Sequence, residues 1–486
     1  MDLSSRLRSI VRGGSTEAAR PADRGLRELT YVPDSGGYEG VMDIARVGAL
    51  LGGRLTDTAF GPCLVIDRRY EADRFHGSIR IGDCDHADDA AMAILDPSLR
   101  TTGSGEREAA GAGRAAGSGA PDTGSWGDDR PRTIFIDLET TGLSGGAGTL
   151  AFLVGCGYFD LGAFQVRQFL LTSHAGERAL LAAVADFFSG ADLIVTYNGK
   201  TFDVPVMETR WMFHRQRMPL GEVPHFDMLH PARRLWRSRP GSGGEMEEAG
   251  CRLSTLEQTL FGVTRIGDVP GFEIPGRFFN FLRSGDPRPL EPVLEHNRLD
   301  LVSLAAVMAR GLRLARDGHP HCRDAAEALA LGRIYERAGE PGRAEGCYAC
   351  AAESTTPEVR GEALYRVGLR RRRERRFGEA AAAWRAIVEL TEPRRVRRLA
   401  RLSDLRQFAV EALAIHHEHR ERDLDGAREL ALFALQEAAG ARAQGIRHRL
   451  ARIDRKITEK RGGGVGVKPA RSGQTGKKTD AQLFSS

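Results

Sequence analysis

The chain reads as an α/β domain, a mixed sheet flanked by helices, followed by an all-α repeat domain. Two patterns carry that expectation. Three apolar runs at 133–138, 150–158 and 164–171 follow one another before helix and strand begin to alternate. After about residue 320 the apolar spacing becomes helical and repeats at an offset of 36, so that Gly332, Ala344 and Tyr348 are matched by Gly368, Ala380 and Trp384. A length of 486 residues leaves room for two or three domains.

In chain order, residues 1–40 are polar and irregular and are expected to form a flexible arm. Residues 41–100 hold short apolar runs such as Cys63-Leu-Val-Ile66, expected as a small β-rich extension, and 101–130, dominated by Gly, Ser, Ala and Asp, is a linker by composition and expected to be disordered. The α/β domain is placed at 131–315: the three strands, a helix near 176–189, a short strand at 192–196 and a helix from about 201. Gly241–Gly250 and Pro270–Pro275 read as surface loops, the second bordering the cleft. Pro292 suits a first helical turn, and Leu299, Leu301, Val302 and Leu304 mark the helix it begins as buried. Helical repeats occupy 320–460, with a looser third copy at Glu411–Ile415 and Ala427 expected to act as a cap, and 461–486 is a Gly- and Lys-containing tail expected to be disordered.

A net charge of +5 and pI ≈ 8.9 favour acidic partners only mildly. Arginine clusters at Arg370–Arg373, Arg375, Arg376 and around Arg394–Arg401 give the C-terminal third a basic surface, which also fits solvated helix faces. The sole lysine before Lys456 is Lys200, which suggests that a compact ammonium is wanted there. Seven scattered cysteines fit a reducing cytoplasm, and Cys347-Tyr-Ala-Cys350, inside a repeat helix with no second pair, reads as core packing. No apolar stretch approaches the roughly 18 residues of a membrane span, and the N-terminus lacks a secretory apolar region. A cytoplasmic protein without a membrane partner is expected.

The chemistry is concentrated in three motifs. Asp137 and Glu139 stand two residues apart in the stretch Thr133–Leu143, at i and i+2 of its apolar strand, so both carboxylates leave one face and invite a divalent ion. Tyr197-Asn-Gly-Lys-Thr-Phe-Asp203 comes after the apolar run Leu193–Val195, and His296-Asn-Arg-Leu-Asp300 lies on the helix begun by Pro292, where positions four apart share a face. Asp-x-Glu, Asn-x-x-x-Phe-Asp and His-x-x-x-Asp in this order resemble the motifs of the DEDD exonucleases, a ribonuclease H-like family that includes proofreading subunits. Gly142–Thr149, His225–Arg234 and Leu253–Glu257 make the likeness nearest to bacterial YprB-type proteins, over roughly residues 131–315. The last motif departs from the proofreading type, which usually places its histidine five residues before the final Asp rather than four.

The resemblance implies a ribonuclease H-like fold and 3′–5′ hydrolysis of DNA or RNA. Asp137, Glu139, Asp203 and Asp300 would hold two Mg2+ or Mn2+ ions, and His296 would be the general base. Thr140, Thr141, Gly142 and Leu143 would seat the terminal nucleotide, Asn198 would brace the second motif, and Lys200 would contact a phosphate or a site carboxylate. Gly145, Gly146 and Gly148 allow close backbone approach to phosphate, and Asp227 would support the site without being a fifth ligand. The repeats resemble tetratricopeptide repeats, which implies a concave face for a protein partner or a nucleic-acid backbone. Two other readings fit the same residues: a catalytically silent adaptor and an endonuclease of the ribonuclease H type.

Overall fold

The computed structural model describes residues 43–85, 88–100, 133–142, 148–221, 223–237, 251–391 and 400–462. The arm at 1–40, the linker, the Gly241–Gly250 loop, Arg394–Arg398, Leu143, Gly145, Gly146 and the tail beyond 462 lie outside them.

The three consecutive strands form as the apolar runs predict: β5 (Thr133–Thr140), β6 (Ala151–Asp160) and β7 (Ala163–Leu170). Together with β1 (Arg54–Thr58), β2 (Gly61–Tyr70), β8 (Leu193–Thr196) and β9 (His225–Asp227) they build one seven-stranded sheet in the order β1-β2-β7-β6-β5-β8-β9. The pairs from β1 through to β5 are antiparallel, whereas β5–β8 and β8–β9 are parallel, so the sheet is mixed. Residues 41–100, expected as a small extension, instead contribute β2 to this sheet. β2 pairs with β7 from Leu64↔Leu170 to Tyr70↔Phe164, because its buried apolar residues need the same core. The segment also carries α1 (Ile44–Leu51), the two-stranded ribbon β3 (Phe75–His76) and β4 (Ile79–Arg80), and α2 (Asp89–Leu95).

Helices cover the sheet: α3 (Glu177–Phe188), α4 (Asp203–Phe213), α5 (Leu229–Trp236), α6 (Leu253–Phe261), α7 (Ile274–Ser284) and the 27-residue α8 (Glu291–Asp317). Pro292 sits in the first turn of α8, where its missing N–H costs nothing, and Gly318 closes the helix at φ 83°. Leu301, Leu304, Val307 and Met308 of α8 are buried in the main core.

The C-terminal region is helical throughout its described residues: α9 (Ala325–Ala338), α10 (Pro341–Ala352), α11 (Pro357–Arg373), α12 (Phe377–Leu390), α13 (Ala400–His416), α14 (Leu424–Glu437) and α15 (Gly440–Gly462). The 36-residue offset is a repeated contact. Gly332 lies under the ring of Tyr348, and Gly368 lies under the indole of Trp384, so an added methyl would meet the aromatic at 2.6 and 2.5 Å respectively. Cys347 is buried in this packing while Cys350 is exposed, so the expectation of two packed cysteines holds for one. The third helix pair is not terminal: Ile446 and Leu450 of α15 cover Val410, Ala431 and Ala434. The first repeat shares the α/β core, with Trp236 Nε1 donating to Glu327 at 2.7 Å and Tyr335 OH reaching the Leu314 and Ala315 carbonyls at 3.0 Å. No helix among the described residues is long and apolar enough to cross a membrane.

Candidate active site

β5 is an interior strand, between β6 and β8, and its apolar run gives way to two acids, Asp137 and Glu139. Asp137 stands opposite Gly155 of β6 and Glu139 opposite Leu153, and the register shifts between Glu139 and Thr140. Glu139 is buried, while Asp137 keeps a partly exposed edge. Asp203 is the first residue of α4 and is buried beside β5, where the backbone N–H of Leu138 bonds its carboxylate. Asp300 comes from α8. Asp203 and Asp300 are therefore near enough to Asp137 and Glu139 of β5 for their charges to act on them.

Their charges are felt mutually. Burial first, then the charges of Asp300, Glu139 and Asp203, raise the Asp137 carboxyl well above the usual range, against a hydrogen bond from Asn297. Glu139 is raised well above its range by burial and then by Asp300, Asp203 and Asp268, with Arg265 opposing. Burial, with a further push from Asp227, raises Asp203 to about 7 although backbone N–H groups pull it down. Among the described residues Asp300 is paired with Arg265 but no cation is paired with Asp137, Glu139 or Asp203, so the four oxygen-rich side chains fit hard divalent ions. They are not gathered round one point. Among the described residues, the group of three whose ligand atoms lie within 4.8 Å of one another is His417, Glu421 and Asp423, in the turn after α13, where Arg385 and His416 already share Glu421.

Asn198 braces the second motif through its backbone. It adopts φ 73°, its N–H donates to Asp227 Oδ1 at 2.8 Å, and its side-chain oxygen accepts from Thr201 Oγ1 at 2.8 Å. Asp227, fully buried, also accepts from the N–H groups of Lys200 (3.1 Å) and Leu229 (3.1 Å), so it anchors the turn that delivers Asp203. Gly199 allows this turn, because a methyl there would strike Thr196 at 2.5 Å. Lys200 is accounted for differently from the sequence expectation: its Nζ pairs with Asp96 at 3.2 Å, a carboxylate from the segment after α2 and none of the four. This lysine ties residues 89–96 to the motif. The Thr140 hydroxyl donates to the Gly142 carbonyl (2.9 Å) and that of Thr141 accepts from Leu150 N–H (3.0 Å), so both shape the turn after Glu139.

His296 lies 3.6 Å from Asp300 through Nε2, as one helical turn requires, and its Nδ1 is 2.6 Å from Asp268 Oδ1. Burial works against it, but His296 and then Arg265 hold the Asp268 carboxyl below its usual range. Arg265 binds Glu257 through two nitrogens (2.6 and 2.9 Å), Asp300 Oδ1 at 2.5 Å and Asp268 Oδ2 at 3.4 Å. Glu257 in turn accepts from Ser303 Oγ, which is 2.9 Å from His76 Nε2. On the opposite side Asn297 donates to Asp137 Oδ2 (2.8 Å) and to its carbonyl (3.1 Å), and Gln168 Nε2 fixes Asn297 at 2.8 Å. Gly155 makes room for the Asn297 amide, which a Cβ there would overlap.

Sequence reasoning missed Arg265, Asp268, Asn297 and Gln168. Gln168 alone carried a signal: it alternates with Phe164, Val166 and Leu170 on β7, a polar residue in an apolar row. Arg265 and Asp268 sit in an irregular loop that no periodicity marks.

Residues 134–311 match the family model of the RNase_H superfamily. The chain is 31% identical over 339 residues to the protein described as "Uncharacterized protein YprB" of Bacillus subtilis (strain 168), an overlap covering 68% of this chain and 76% of the relative. With the mixed sheet flanked by helices, these similarities establish that the chain belongs to the YprB family of the ribonuclease H superfamily.

Proposed function

We propose that the protein is a divalent-metal-dependent nuclease of the DEDD type, removing nucleotides from the 3′ end of DNA or RNA. The observation that carries this reading is the convergence of Asp137, Glu139, Asp203 and Asp300 in a setting that raises three of their pKa values and leaves negative charge uncompensated. These four would hold two Mg2+ or Mn2+ ions, whose chemistry is to neutralise the attacked phosphate and the leaving oxygen.

The chain's own residues supply the rest. Asn297 fixes Asp137 and Arg265 fixes Asp300, each through one oxygen, leaving the other for a ligand. His296 Nε2 takes the proton of the attacking water as the water oxygen bonds to phosphorus and the scissile P–O bond breaks toward the sugar. The turn at Thr140, Thr141 and Gly142 comes directly after Glu139 and seats the terminal nucleotide. Phe272 and Ile266, exposed in the loop that carries Arg265 and Asp268, are apolar groups of the kind unstacked bases pack against.

The helices α9 to α15 are read as tetratricopeptide-like repeats that recruit a protein partner to a cytoplasmic enzyme. Arg366, Arg370, Arg371, Arg376 and Arg401 are each ion-paired with glutamates, which leaves them poorly placed to hold a phosphate backbone. Digestion of end-labelled single- and double-stranded DNA and RNA with Mg2+ or Mn2+ tests the reading. Shortening from the 3′ end that disappears in Asp137→Asn supports it, and no metal-dependent cleavage of any substrate refutes it.

A further inference from the structure

His296 precedes Asp300 by four residues, a spacing that puts both on one face of α8 and leaves the ring free to turn about its own bonds. Something outside the helix must then decide which ring nitrogen meets the acids. The loop between α6 and α7 supplies it. Asp268 Oδ1 lies 2.6 Å from His296 Nδ1, while Nε2 faces Asp300 Oδ2 at 3.6 Å. A carboxylate can only accept, so Nδ1 donates its proton to Asp268, and Nε2 is the ring nitrogen turned toward the acid cluster.

Asp268 is itself held. Its own oxygen accepts from Val269 N–H at 2.9 Å, and its second oxygen lies 3.4 Å from Arg265 Nη1. The same guanidinium grips Asp300 at 2.5 Å and is locked from behind by the buried Glu257. One planar fork thus sets the carboxylates on both sides of the imidazole, which a lysine at this position could not do.

We propose that Asp268 is the positioning residue of the general base: it fixes the His296 tautomer that can accept a proton at Nε2, and Arg265 holds Asp268 and Asp300 at the separation this requires. The proposal rests on the nuclease reading of the same site. When His296 takes the proton of the attacking water, Asp268 stays ionised and stabilises the resulting imidazolium, so no proton passes to it. The four-residue spacing is thereby made workable by a loop residue instead of by the helix.

The test uses the full chain in four forms: wild type, Asp268→Asn, His296→Ala and the double variant. An amide keeps the shape of Asp268 but can donate to Nδ1, which favours the opposite tautomer. Asp268→Asn should lower kcat by about 100-fold or more with KM little changed, and should cost nothing further in the His296→Ala background. Wild-type turnover in Asp268→Asn, or losses that multiply in the double variant, would overturn the proposal. A second readout needs no activity. Nitrogen-15 spectra of labelled histidine, with His296 assigned by its loss in His296→Ala, should show the proton on Nδ1 in wild type and on Nε2 in Asp268→Asn. A wild-type ring protonated on Nε2 sinks the proposal even if the enzyme cleaves. If wild type cleaves nothing, the nuclease reading fails, and the spectra still decide whether Asp268 sets the tautomer.

Discussion

Glu139 in the sheet and Glu418 in the helical half are both buried carboxylates, 9% and 4% exposed, yet their surroundings treat them in opposite ways. Burial pushes Glu418 up, but hydrogen bonds from Arg452 and Lys456, then the charges of Arg452 and His419, bring it down to about 2. Burial, then the charges of Asp300, Asp203 and Asp268, push Glu139 well above its range against Arg265. Glu362 repeats the helical pattern, bound by Arg333, Arg366 and Arg401. The buried acids Glu362 and Glu418 of the helical half each have several cations. Where acids gather without them, the fold carries a local cost that only a function explains.

The largest break between the two regions should come from removing one acid in each. Asp137→Asn should lower turnover by about 1,000-fold, the equivalent of about 4 kcal/mol of charge stabilisation, while thermal unfolding shows the fold intact. Glu418→Gln should leave turnover unchanged but destabilise the protein by about 1–3 kcal/mol in denaturant titration, after allowance for the partly exposed partners Arg449, Arg452 and Lys456. Equal effects of the two substitutions on stability would erase the distinction.

Acidity should separate the regions by sign. The folded pKa of Asp203 is about 7, above its unfolded value of about 3.9. Its contribution to stability is therefore fully present below about pH 3.9 and is lost as pH rises through about 7. Asp137 and Glu139 act in the same direction. Glu418, depressed to about 2, contributes above its unfolded value of about 4.3 and ceases to as pH falls through about 2. In chelator, the wild-type advantage in stability over Asp203→Asn should therefore shrink or reverse between pH 5 and 8, and adding Mn2+ at pH 8 should restore it. A difference independent of both pH and metal would contradict this.

Smaller effects sharpen the picture inside the site. Gly155→Ala forces the Asn297 amide aside and should destabilise by about 1–3 kcal/mol, with weaker Mn2+ binding, since Asn297 fixes Asp137. Lys200→Ala removes an ion pair with Asp96 that is a third exposed on the lysine side and should cost about 1 kcal/mol or less. Turnover should stay within a few-fold of wild type. A large loss of turnover would instead place Lys200 on the substrate.

The strands, α8 and the 36-residue repeat were legible because each rests on a local pattern: a short apolar run in β5, helical spacing after Pro292, and glycine facing an aromatic in α9 to α12. The three acidic motifs were legible because short spacings on a strand or helix fix direction. The hidden features depend on contacts distant in sequence. Asn297 reads as a helix residue until Gly155 and Gln168 close on it, 142 and 129 positions away. Asp268 has no meaning until α8 brings His296 beside it, and Lys200 reads as a ligand for phosphate until Asp96, 104 residues earlier, is seen. Residues 41–100 were underestimated for the same reason, since pairing of β2 with β7 spans the intervening linker.

In the proposed function, divalent metal completes the acid cluster of β5, α4 and α8, in which Asp137, Glu139 and Asp203 are raised by burial and by neighbouring acids. Calorimetric titration of Mn2+ into the full chain at pH 8, for wild type against Asp137→Asn, measures this most directly, and any exposed site such as His417–Asp423 cancels between the two. Two ions bound in excess over the variant is the predicted result. Identical binding curves for wild type and Asp137→Asn would contradict the account.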